Sequence, residues 1–256
     1  MKSPCIHALH GFLGCPSDWD VFSFPSWVGY DFFSNDPKPT GELDPRALPT
    51  LWDAGKKLNQ LASQTPGPRV LMGYSLGGRV ALHALTESPE LWSCAVIISA
   101  HPGIPGAQLH DPLPEQVQRA RQDDSWAQRF EGRSAESWES LIQAWNSQAV
   151  FQTQHAGVFS LKREASWFSC SKLASALRHW SLAAQTDLRS TLKSLTVPTL
   201  WISGQHDVKY KAIGQSLSGL HPRFKVEVIA DGGHRVPWEN PVGFQQAVSA
   251  FLDLTL

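Results

Sequence analysis

Residues 69–85 read RVLMGYSLGGRVALHAL: a short apolar run, a serine with glycines two residues to either side, then a helical pattern. With so little chain between strand and helix the backbone must turn sharply, and Gly73 and Gly77 relieve the crowding this creates. A short glycine motif arises by chance often enough to mean little alone. Its position between a strand-like and a helix-like run makes this one specific. Such a turn lifts the Ser75 side chain to the edge of a sheet, and the helix N-terminus beneath it favours developing negative charge.

The same rhythm recurs along the chain. Apolar runs at CIHALHG (5–11), WVGYDFF (27–33), RVLMG (69–73), AVIISA (95–100), TLWISG (199–204) and KVEVIA (225–230) are short and barely alternate. They suit strands buried on both faces of a parallel sheet. Between several of them lie helical patterns. RALPTLWDAGKKLNQLA places Leu48, Leu51, Leu58 and Leu61 on one stripe, and NPVGFQQAVSAFL begins with Asn240 as N-cap and Pro241 at the first helical position. The expected fold is α/β, a mostly parallel central sheet flanked by helices. The rhythm breaks once: residues 101–198 offer no convincing strand but three helical segments, at 114–130, 134–148 and 172–185, that carry many of the 11 tryptophans. This is the pattern of a helical cap inserted after a central strand, over the sheet edge where such folds bind ligands. The core would then be 1–100 and 199–256, and the cap 101–198.

The net charge of −1 carries no footprint for nucleic acid or an anionic membrane, so anion recognition must come from local arginines. Cys5, Cys15, Cys94 and Cys170 form no CxxC pair and are too sparse for a disulfide scaffold. The N-terminus lacks a signal-peptide pattern, and no apolar run approaches the roughly 20 residues of a membrane span. A soluble cytoplasmic protein with no obligatory protein partner is expected. Neither metal nor cofactor is expected, because the ten histidines include no HxH or HxxxH pair and no phosphate-binding glycine loop is present.

A nucleophilic serine needs a base, and the base an acid, each at the end of a later strand. TLWISG leads into QHD, which places Asp207 just past a strand end; KVEVIA leads into DGGHR, which does the same for His234. Asp231 is a rival acid, but three residues from His234 it reads as a turn former. His206 adjoins Asp207 too closely to face it. The loop HGFLG (10–14) after the first run is the place for a backbone N–H, that of Phe12, to join the N–H of Leu76 as an oxyanion hole. His10 would brace that loop.

With these residues together, the chain resembles an α/β-hydrolase over nearly its whole length. HGFLG, GYSLGGR, HPG (101–103), RARQDDSWAQRF (119–130), SLAAQTDL (181–188), SGQHDVKY (203–210) and GGHRVPWENP (232–241) resemble one branch more closely, the 2-succinyl-6-hydroxy-2,4-cyclohexadiene-1-carboxylate (SHCHC) synthases of menaquinone and phylloquinone biosynthesis. The resemblance implies a lyase that removes pyruvate from 2-succinyl-5-enolpyruvyl-6-hydroxy-3-cyclohexene-1-carboxylate (SEPHCHC). A carboxylesterase or C–C bond hydrolase working through an acyl-enzyme would use the same triad, and a non-catalytic ligand-binding protein could keep the fold.

A polyanionic substrate would explain Arg79, one turn beyond Ser75, as a carboxylate fork. By the resemblance Arg119 is a second substrate arginine, although an i,i+4 surface pair with Asp123 is the plainer reading. Trp145 matches a pocket position of the family or packs the cap. Tyr74 and Lys209 are wall contacts, or packing and a solvated charge. A further cap arginine of the family aligns only loosely with SLKREASWFSCSK (160–172), where Arg163 or Lys162 would supply it. WVGYDFFSNDPKPTG (27–41) departs from the glycine-rich loop usual in relatives, and the leading antiparallel strands of many relatives have little sequence to form them.

Overall fold

A computed structural model describes residues 3–35, 41–107, 110–132, 136–152 and 162–256. Residues 36–40 of the departing loop, 134–135 of an expected helix and 160–161 of the loosely aligned segment lie outside them. All six expected strands form: β1 (Cys5–Leu9), β2 (Trp27–Tyr30), β3 (Arg69–Tyr74), β4 (Cys94–Ile98), β5 (Thr199–Gly204) and β6 (Phe224–Ile229). They make one sheet in the order β2-β1-β3-β4-β5-β6 with every pairing parallel.

The weak alternation of the apolar runs has a direct cause. Leu71, Ala95, Ile97 and Trp201 enter one buried cluster, together with side chains of α1 (Leu51–Ala62) and α2 (Leu76–Glu87). Their neighbours Val70, Met72, Val96, Ile98, Leu200 and Ile202 enter a second cluster on the opposite face. Strands with helices on both faces need apolar residues at every position. At the edge, β6 buries only its ends fully and exposes Lys225 and Glu227.

Several expected elements have different bounds, among them the 134–148 helix, which runs over Trp138–Asn146 with Ser137 as its N-cap. The 46–62 pattern is helical only from Leu51, because Thr50 and Asp53 form a reciprocal capping box that starts the helix there. The 27–33 run stops pairing in β2 at Tyr30, because the Asp31 carboxylate accepts from the N–H groups of Phe33 and Ser34 and turns the chain. The 172–185 helix is split: an α-helix runs over Cys170–His179, and a separate 3-10 turn over Leu182–Ala184 is capped by Ser181.

Between β4 and β5 the described residues contain α3 (Pro114–Glu131), α4 (Trp138–Asn146), α5 (Cys170–His179) and α6 (Arg189–Ser194), and no strand. Phe130, Trp138, Leu141, Leu173 and Leu177 are buried among them, and this packing is continuous with the first sheet-face cluster. α7 (Val208–Ser216) joins β5 to β6, and α8 (Val236–Glu239) and α9 (Pro241–Thr255) follow β6. Asn240 caps α9 by accepting from the Gly243 N–H. Among the described residues no helix is long and apolar enough to cross a membrane.

Candidate active site

Ser75 lies between β3 and α2 with φ 52° and ψ −110°, a conformation costly for any residue with a side chain. Its surroundings enforce it. The Ser75 N–H donates to the Ile98 carbonyl at 2.9 Å, and its carbonyl accepts from Arg79 N–H at 3.1 Å. A Cβ at Gly77 would collide with the carbonyl oxygens of Leu9 and His10, so only glycine lets α2 pass so close to β1.

The loops carrying the acid and the base are joined in the same way. A Cβ on Gly204, at the end of β5, would meet the carbonyls of Gly232 and Gly233. The Gln205 and His206 N–H groups donate across to Ile229 and Gly232. Asp207, N-cap of α7, uses Oδ1 to accept from the Tyr210 N–H, which leaves Oδ2 for His234 Nδ1 at 2.7 Å. His234 Nε2 is 3.2 Å from Ser75 Oγ. Both side chains are almost fully buried, Asp207 at 4% and His234 at 3% exposure. With Nδ1–H donated to the carboxylate, Nε2 keeps the lone pair that faces the serine hydroxyl. Asp231 is not brought to His234: it sits at φ 53° in an exposed turn, 4.0 Å from His206.

His10 has the bracing position expected of it. Its Nδ1–H donates to the Gly11 carbonyl at 2.8 Å and its Nε2 accepts from the Phe32 N–H; burial lowers its pKa. Leu76 is the first residue of α2, so its N–H has no intrahelical acceptor. Phe12 packs against Trp145 at 4.5 Å between ring centroids and lines the cavity with Ser75 and Leu76.

That cavity, about 450 Å³ in volume, collects the expected cations: Arg79, Arg119 and Lys209 all line it beside Ser75 and His234. Burial, then the charge of Arg119, lowers Arg79 to about 10, so it stays protonated at neutral pH. One Nη1–H of Arg79 donates to the Trp180 carbonyl at 2.7 Å, which ties the helix after the serine to the helical excursion. Arg119 makes the expected pair, its Nε–H bonding Asp123 at 2.8 Å, i to i+4, and its guanidinium also lines the cavity. Asp123 also accepts from the Ser181 hydroxyl. Burial alone would lower Arg119, but the charge of Asp123 and this hydrogen bond hold it above its ordinary value. Lys209 is lowered by burial and by Arg119.

Tyr74 is buried against Trp238 and His234 and lines a second, adjoining cavity. Trp145 is half-buried against Phe12 and Trp126 and lines both cavities. Arg163 reaches the second cavity but holds Asp18 through two hydrogen bonds of 3.0 and 2.8 Å. Lys162 points outward, 79% exposed beside Glu164.

Several lining residues were not singled out in the sequence, four polar ones among them. His101 and Tyr210 line the large cavity, and Asn146 and Arg235 the small one. Burial, then the surrounding cations Lys209, Arg189, Arg79 and Arg119, push His101 down to about 3. Its place after β4 and that of Arg235 beside His234 were the available signals. Among the described residues no three His, Cys, Asp or Glu side chains group to hold a metal.

Known proteins resemble this chain in sequence and in fold. A model of the alpha/beta hydrolase family matches residues 8–247. The 2-succinyl-6-hydroxy-2,4-cyclohexadiene-1-carboxylate synthase of Klebsiella pneumoniae subsp. pneumoniae is 31% identical over 242 residues, 93% of this chain and 89% of its own. That of Escherichia coli O1:K1 is 31% identical over 257 residues, covering 97% and 94%. Of solved structures, MenH from S. aureus superposes with a TM-score of 0.77 at 24% identity, covering 98% of this chain and 94% of its own. A thermophilic esterase from Thermogutta terrifontis gives 0.69 at 18%, covering 99% and 91%. The two likenesses establish a shared fold that also hosts ester hydrolysis. The chain belongs to the alpha/beta hydrolase family and, within it, to the branch of the 2-succinyl-6-hydroxy-2,4-cyclohexadiene-1-carboxylate synthases.

Proposed function

We propose that this protein is a lyase that eliminates pyruvate from SEPHCHC to give SHCHC, a step of menaquinone or phylloquinone biosynthesis. The observation that carries the reading is the convergence of Arg79, Arg119 and Lys209 on one cavity with Ser75 and His234. Three cations around a nucleophile suit a small polyanionic carboxylate substrate and would repel nothing but a cation; Asp123 offsets only Arg119, so an apolar ester would bring no charge to match the rest. The names of the synthase relatives support the same product.

His234, oriented by Asp207, takes the Ser75 proton, and Ser75 Oγ removes the proton at C2, next to the succinyl carbonyl. The Phe12 and Leu76 N–H groups stabilise the resulting dienolate oxygen. The electron pair then re-forms the carbonyl, the ring double bond shifts to give the 2,4-diene, and the C5–O bond breaks. The enolpyruvyl fragment keeps that electron pair and takes a proton to become pyruvate, while Ser75 and His234 return to their starting states. No acyl-enzyme forms. The excursion over 101–198 acts as a cap on the core of 1–100 and 199–256, and it excludes water from the dienolate. No cofactor is required.

Pyruvate release from SEPHCHC, with a simple ester assayed in parallel, tests the reading. Fast release that is lost in Ser75→Ala supports it. Brisk ester cleavage without pyruvate release would replace it with a hydrolase.

A further inference from the structure

The second cavity meets the first at Ser75. Ser75, Phe12, Trp145 and Phe151 line both, so the serine stands at a neck with aromatic walls. The two spaces differ greatly in size, about 450 Å³ against about 70 Å³. One water needs roughly 10–15 Å³ on this scale. The smaller space therefore suits a few waters or a fragment of about three carbons, and it is too small for a substituted six-membered ring.

Two arginines line the small cavity. Arg163 and Asp18 have side chains only 8% and 5% exposed and cancel one another's charge. Arg235 is different. It donates from Nη2 to the Asn146 amide oxygen, and its guanidinium lies 4.2 Å over the Phe151 ring. Among the described residues no carboxylate lies within ion-pair distance of it. A half-buried guanidinium lacking a counter-charge, in a cavity that touches the nucleophile, is arranged to receive an anion. Phe151 also packs on the His234 ring at 5.6 Å, so the cation and the base share one support.

We propose that Arg235 is a substrate-contacting residue that binds the carboxylate of the enolpyruvyl group, placing the leaving fragment in the small cavity. The ring and succinyl carboxylates then face Arg79, Arg119 and Lys209 in the large one. The inference rests on the pyruvate-elimination reading. As the C5–O bond breaks, the departing fragment gains a second negative charge on its enolate oxygen, and Arg235 offsets it until a proton arrives.

The test compares Arg235→Gln, Arg235→Lys and Asn146→Asp with wild type. The last variant sets a carboxylate against Arg235, as Asp18 is set against Arg163. Pyruvate release from SEPHCHC is measured together with inhibition by added pyruvate and, separately, by SHCHC. Arg235→Gln is expected to lower kcat/KM by roughly 10- to 100-fold, the effect of losing a charge-assisted hydrogen bond. It weakens inhibition by pyruvate to a similar degree, leaves inhibition by SHCHC unchanged, and is partly rescued in Arg235→Lys. Asn146→Asp weakens pyruvate inhibition in the same sense, and Arg79→Gln gives the reverse pattern. Wild-type pyruvate inhibition in both Arg235→Gln and Asn146→Asp, or equal loss of both inhibitors, overturns the proposal while leaving the lyase standing. Absence of pyruvate release from wild type itself overturns the lyase and this inference with it.

Discussion

Ser75, Asp207 and His234 hang from strand ends whose backbones are locked together, whereas Arg119, Trp145 and Phe151 come from the helical excursion above. On the sheet side, position is set by covalent connectivity and close backbone contact: glycines without room for a Cβ, N–H groups bonded across loops, a strained φ at Ser75. On the helical side, position is set by side chains. Arg178 of α5 pairs with Asp124 and Glu131 of α3, Trp138 donates to the Arg163 carbonyl, and Trp145 rests on Phe12. Backbone contacts tolerate little change. Side-chain contacts can be exchanged, so substrate preference can vary above a constant triad.

The largest break in this comparison is chemical. Ser75→Ala is expected to lower kcat for pyruvate release by about 10⁴-fold or more, and Asp207→Asn by about 10³- to 10⁴-fold because it releases the His234 tautomer. Steady-state assays with intact thermal unfolding check both.

The next is steric. Gly77→Ala presses a Cβ against carbonyl oxygens of Leu9 and His10 and should cost about 3 kcal/mol or more. Gly132→Ala, at the end of α3, meets only the Gln128 carbonyl at 3.2 Å and should change stability by less than about 1 kcal/mol. Urea unfolding of both variants compares the two regions directly.

Removing a cation from the large cavity comes third. Arg79→Ala should reduce kcat/KM by about 100-fold, equivalent to about 2.7 kcal/mol. Arg119→Ala should reduce it by less, since Asp123 already shares the Arg119 charge.

Acid sharpens the same contrast. His7, His10, His83 and His101 sit on β1, α2 and strand-end loops as buried neutral rings; burial above all lowers His7 and His83 to about 4 and His101 to about 3. In the unfolded chain each protonates near pH 6.5. Below that pH the unfolded state takes up protons that the folded state refuses. Stability should therefore be full above about pH 6.5 and fall toward pH 4, by up to about 1.4 kcal/mol per pH unit for each histidine. Unfolding free energies across that range, with His83→Gln as a reporter, measure the slope.

A small effect also belongs to the helical side. Ser137→Ala removes the N-cap that accepts from Ser140 N–H at the start of α4 and should cost about 1 kcal/mol, with kcat nearly unchanged.

This division also explains what the sequence disclosed. All six strands and the strand-end positions of Ser75, Asp207 and His234 were legible because each depends on local chain pattern: an apolar run, its end, and a turn with glycine. Helix bounds near Thr50 and Ser181 were missed where a single side chain decides the start or the break. The fork between Arg163 and Asp18 joins residues 145 positions apart, and Arg235 owes its character to Asn146, 89 positions away. No local pattern encodes such pairs. Arg119 pairs with Asp123 and still lines the cavity, a combination that spacing alone could not reveal.

The central claim is that Ser75, activated by His234, acts as a base on a carbon acid. Single-turnover pyruvate release should be compared for SEPHCHC carrying hydrogen or deuterium at C2. The account predicts a clearly slower release from the deuterated substrate. Equal rates, with Ser75 still essential, would contradict proton abstraction as the step that the site was built to perform.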